Sequence, residues 1–172
     1  KRFPGKDGAL VAMMRLAEES VNDFPSTVSM YSVFDRAPVS PAVVYETILN
    51  NYPDSPLAPL AQLKLAMWHL WNKRYIRALD TCAAFLRKYP DNELAPKVKE
   101  VGVQTFAVIS TESVLDNRYG RMRAIWEKYP FVQDQQAELP PESRIALAVS
   151  YRDSGKPDDA LAAVEPFFLG HK

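Results

Sequence analysis

Apolar side chains recur three and four residues apart along most of this chain, and the stretches between them are short and rich in proline, asparagine and aspartate. That spacing predicts helices, because positions i, i+3, i+4 and i+7 share one helical face. In the clearest segment, Leu60, Leu63, Leu65, Met67, Trp68, Leu70 and Trp71 make one helix apolar nearly all round, with Ser55 as its expected N-cap and Pro56 in its first turn. Asn72, Lys73 and Arg74 then make a polar turn. Tyr75, Leu79, Cys82, Phe85 and Leu86 predict a second helix, stopped by Pro90. Near the end, Pro140, Pro141 and Glu142 open a helix carried by Ile145, Leu147, Val149 and Tyr151. Gly155 suits a left-handed helix end, Pro157 suits the first turn of the next helix, and Pro166 is expected to cut that helix short.

The pattern repeats. LNNYPDSPLAP at 49–59 returns as LRKYPDNELAP at 86–96, an offset of 37 residues, and the aromatic-proline pair recurs at Tyr129-Pro130 and at Phe3-Pro4. Four units follow, approximately 5–53, 54–90, 91–130 and 131–172, each with a helix A and a helix B, giving about eight main helices in one domain. The first unit carries an insertion at 23–40, between a helix A at about 7–22 and a helix B at about 41–52. Within the insertion, 28–34 reads as a short helical piece and 37–41 as an extended entry capped by Ser40, with Pro41 first in the helix. In the third unit the hydroxyl-rich run 110–113 blurs the turn. Because the pattern opens at the end of one unit and breaks off inside another, a slice of a longer array is expected.

These residues resemble the tetratricopeptide repeat. Leu65, Ala66, Ala78, Phe85 and Pro90 match its spacing in the middle unit, and Leu147, Ala148, Tyr151, Ala160 and Phe167 match it in the last. Small residues at Ala66, Ala78, Ala148 and Ala160 let the two helices of a unit approach closely. The resemblance implies an all-α fold, a right-handed superhelical solenoid of antiparallel helix pairs, in which each pair buries its apolar face against its neighbours. The phrase YPDSPLAP is similar to repeats of bacterial cell-envelope proteins, the outer-membrane assembly lipoprotein and the Tol-system coordinator among them, and so implies a periplasmic rather than a cytoplasmic setting.

Composition removes most other functions. Lys+Arg and Asp+Glu number 21 each, so no net field draws the chain to nucleic acid. Two basic turns with interleaved aromatics, 73–77 and 118–123, are read as solvated helix starts that would align along one edge. No apolar run reaches the ~18 residues of a membrane span. One cysteine, Cys82, on the inner face of a helix, and two histidines, His69 and His171, leave no metal-ligand cluster. The glycines are scattered and form no phosphate loop. No cofactor and no catalysis are expected.

What remains is protein binding. The resemblance assigns a concave wall to the helices A, with Val11 and Met14 in the first unit, and Leu60, Leu63, Met67, Leu70 and Trp71 in the second. Gln104 and Val108 follow in the third, and Ile145 and Arg152 in the fourth. A surface helix apolar nearly all round must be covered by something. Either a partner segment lies on the wall, with Trp71 and Met67 as anchors, or the chain covers it itself and Leu63 and Met67 are ordinary core. The alternatives are a scaffold portion of a larger enzyme or envelope complex, and self-association with a second copy as a homodimer. Carboxylate-clamp recognition is not supported, since Lys64, Val101 and Ala146 stand at its positions.

Overall fold

The computed structural model describes residues 6–22 and 40–169, and every regular element among them is helical. They form α1 (Lys6–Asn22), α2 (Pro41–Asn51), α3 (Ala58–Trp71), α4 (Tyr75–Lys88), α5 (Ala95–Leu115), α6 (Met122–Lys128), α7 (Pro130–Gln133), a short 3-10 turn, α8 (Pro141–Asp153) and α9 (Pro157–Leu169). The helical piece expected at 28–34 lies outside the described residues.

Each helix packs on the next in sequence from α1 to α5, and α8 packs on α9. α3 also meets α5, α5 meets α8, and α6 and α7 lie against α8 and α5 respectively. The chain is therefore held by near neighbours, with three buried clusters along it. Leu10, Met14, Tyr45, Ile48 and Leu65 join α1, α2 and α3. Leu63, Ala66, Cys82, Phe85, Val98 and Val101 join α3, α4 and α5. Leu79, Phe106, Ile109, Met122, Val132 and Leu147 join α4 to α8.

The repeated phrase makes one repeated turn. The Ser55 hydroxyl accepts from the Leu57 amide at 3.2 Å, and the Asn92 side-chain carbonyl accepts from the Leu94 amide at 3.0 Å. In both, the fourth residue closes back: Ser55 N–H donates to the Tyr52 carbonyl, and Asn92 N–H to the Tyr89 carbonyl. Ser55 is thus a turn residue and not the expected cap, and α3 begins at Ala58 with Pro59 in its first turn. The correction has a local cause. A serine hydroxyl can accept from the amide two residues on as well as cap a helix end.

A second repeated device joins the helices within pairs. After α3, α5 and α8 the chain turns through left-handed backbone at Lys73 (φ 57°), Asn117 (φ 53°) and Gly155 (φ 73°). At each, the next residue's N–H reaches back over six residues: Arg74 to His69 at 2.8 Å, Arg118 to Ser113 at 2.9 Å, and Lys156 to Tyr151 at 3.0 Å. This is the Schellman closure, which satisfies the last carbonyls of a helix. Gly155 holds the conformation expected of it; Lys73 and Asn117 hold it without glycine's freedom.

Two boundaries differ from expectation. α5 runs straight through 110–113, because the Ser110 and Ser113 hydroxyls bond the carbonyls of Phe106 and Ile109 one turn back and leave the helical backbone intact. α9 continues through Pro166 to Leu169. A proline near a helix end removes only one backbone donor and need not stop the helix there.

Candidate functional site

α3 explains its own composition. With α2, α4 and α5 all against it, three of its sides are covered by the chain. Ala61, Leu63, Leu65 and Ala66 are buried, and Leu60, Met67 and Leu70 are half-buried against the first two clusters. Leu63, only 6 % exposed, is core and not open wall, and so is Met14 at 4 %. These two residues are corrections to the wall read from the sequence. A helix apolar nearly all round is one with neighbours nearly all round.

What stays outside is narrower. Trp71, the last residue of α3, is 61 % exposed. Val11 on α1, Val108 on α5 and Ile145 on α8 are 39 %, 38 % and 45 % exposed. Gln104 and Arg152 are exposed polar members of the same expected wall. The Gln104 amide donates to Glu100 at 3.1 Å, and Arg152 pairs with Asp153 at 2.9 Å.

The positions read as structural repeats divide similarly. Ala66 and Ala78 are buried on the tightly packed pair α3 and α4, and Phe85 is buried with its ring edge-on to Tyr89 at 5.3 Å. Ala148, Tyr151 and Ala160 are half-buried between α8 and α9, and Pro90 lies exposed past the end of α4.

The candidates for chemistry are placed unfavourably for it. Cys82 is fully buried, and burial pushes its thiol up to about 12, far from a thiolate nucleophile at neutral pH. His69 is buried on α3, and its pKa is lowered by burial and then by the Arg74 and Arg77 charges. Among the described residues, no group of three His, Cys, Asp or Glu side chains could hold a metal ion, and no helix is long and apolar enough to cross a membrane.

The two basic turns meet. Lys73, Arg74 and Arg77, at the junction of α3 and α4, line a cleft of about 300 Å³ together with Arg121, from the turn that precedes α6. Arg74 stacks over the Trp68 ring at 5.0 Å, and the Tyr75 hydroxyl donates to Glu112 on α5 at 2.6 Å, tying the two turns together. The sequence marked both turns but not the apolar floor between them, Ile109 and Ile125, which only the packing of α5 and α6 on α4 supplies. Comparison of the chain with family models, curated proteins and solved structures finds no match.

Proposed function

We propose that the chain is a non-catalytic scaffold of tetratricopeptide type that binds a segment of a partner protein on the face formed by α1, α3, α5 and α8. One observation carries this reading. Each of these helices leaves an apolar side chain exposed, Val11, Trp71, Val108 and Ile145, at a position the repeat pattern assigns to one wall, while the rest of the apolar stripe of α3 is buried or half-buried. An exposed tryptophan is a frequent binding hot-spot residue, and Trp71 is 61 % exposed. The solenoid arrangement is part of the proposal. It is supported by the 37-residue offset, the three Schellman closures, and the contacts of α3 with α5 and α5 with α8. The buried Cys82 and His69 favour binding over catalysis. By the wording of 52–59 alone, the setting is the bacterial envelope.

The test is Trp71→Ala with Val108→Ala. Both side chains are exposed, so helicity by circular dichroism should be unchanged while affinity for the cognate partner falls by about 2 kcal/mol or more. Unchanged affinity removes this face from consideration.

A further inference from the structure

We propose that the cleft between the α3–α4 turn and the α5–α6 turn is a second binding site, built for an acidic peptide segment that carries an apolar side chain. The cleft lies on the turns and not on the helix face discussed above, so its test stands independently of that reading.

Charge comes first. Four cations, Lys73, Arg74, Arg77 and Arg121, line the cleft, and no carboxylate does. In a chain with 21 basic and 21 acidic residues, this is a local excess. Among the described residues none of the four makes an ion pair. Two acids beside the cleft have partners of their own: Glu112 accepts the Tyr75 hydroxyl, and Asp116 pairs with Arg118 at 3.0 Å. Arg121 also borders a neighbouring pocket of about 310 Å³ lined by those two acids, so it faces both environments. Like charges gathered in one cleft repel, and an anionic ligand there relieves that repulsion.

The backbone points the same way. Lys73 sits at φ 57°, where glycine or asparagine would be relaxed, and the equivalent turns use Asn117 and Gly155. A lysine in left-handed backbone is an outlier that asks for a role, and lining the cleft supplies one.

The floor decides between ligands. Tyr75, Ile76, Ile109 and Ile125 complete the lining, and Ile76 is 43 % exposed. Ile109 and Ile125 are already buried, at 1 % and 7 % exposed, so Ile76 is the apolar side chain left open; an inorganic phosphate or a nucleic acid backbone would use the cations and leave it in water. A peptide with carboxylates flanking one apolar residue uses both, and a volume of about 300 Å³ suits such a short segment. The chain's zero net charge also provides no long-range field for a polyanion.

The probe is a fluorescein-labelled hexapeptide alternating glutamate and isoleucine, titrated against the whole chain by anisotropy. A lysine-isoleucine hexapeptide, inorganic phosphate and a DNA duplex form the comparison arms. Binding of the acidic peptide should weaken as salt rises, and Arg77→Glu with Arg121→Glu should reduce it by about ten-fold or more. Arg77→Gln with Arg121→Gln should give a smaller loss in the same direction. Arg87→Glu, ten residues further along α4 and thus about 15 Å away, should leave binding unchanged. Amide shifts on binding should centre on Tyr75, Ile76 and Arg121. The proposal is overturned by absence of acidic-peptide binding, by binding indifferent to both double variants, or by phosphate or duplex DNA competing as well as the peptide.

Discussion

Replacing Gly102 with alanine sets two effects of opposite sign against each other. Gly102 lies buried within α5, where alanine is favoured over glycine by about 1 kcal/mol of helix propensity. A Cβ built there would overlap Phe131 Cε2 and lie 3.0 Å from Phe131 Cζ. Phe131 belongs to α7, which packs on α5, and its half-buried ring meets Tyr129 edge-on at 6.1 Å. Overpacking of this kind costs about 1–3 kcal/mol. The clash outweighs the propensity gain, and Gly102→Ala should destabilise the chain by about 1 kcal/mol, a Tm loss of about 2–4 °C for a chain of this size. In a Phe131→Ala background the clash is gone and only the propensity remains, so the same substitution should stabilise by about 1 kcal/mol. The coupling between the two sites is then about 2 kcal/mol, measurable as a double-mutant cycle from urea unfolding followed at 222 nm. A gain of equal size from Gly102→Ala in both backgrounds would refute the close approach of α7 to α5.

Three further outcomes follow from the core and the turns. Phe85→Ala, at a fully buried ring joining α3, α4 and α5, should cost about 3–5 kcal/mol by chemical denaturation. Cys82 should be inert to an aromatic disulfide reagent at pH 8 in the native chain and react at once in denaturant; rapid native labelling would contradict its burial. Tyr75 should ionise late in a 295 nm titration, because burial first and its bond to Glu112 second push it up to about 12. Its neutral form is the one favoured by folding, so this contribution is complete below pH 10 and is lost as pH rises through about 12; Glu112→Gln should bring the midpoint down.

Helix spacing and the repeated phrase carried the all-helical class and several of the helix boundaries. α1, α2 and α4 begin and end within two residues of where the apolar periodicity puts them, because each is bounded by a proline, a polar turn or an aromatic-proline pair. The errors lie where a local hydrogen bond has two legitimate uses. Ser55 could cap a helix or close a turn, and the 110–113 hydroxyls could break a helix or bond back along it; packing chose between them. The wall was harder to read. Leu63 and Trp71 are both apolar residues of one helix, and nothing in their spacing tells that α4 and α5 cover the first and leave the second in water. The basic cleft was half legible: its rim is two marked runs of sequence, while its floor comes from helices that meet only in the folded chain.

The account's central claim is that the face bearing Trp71 meets a partner. A photo-crosslinking benzoylphenylalanine placed at Trp71 in the source cells, compared with one at Leu161 on α9, tests it directly, since the two positions are similarly exposed at 61 % and 67 %. The account predicts a discrete adduct from position 71 and none from 161. Adducts from 161 alone, or equally from both, would contradict it.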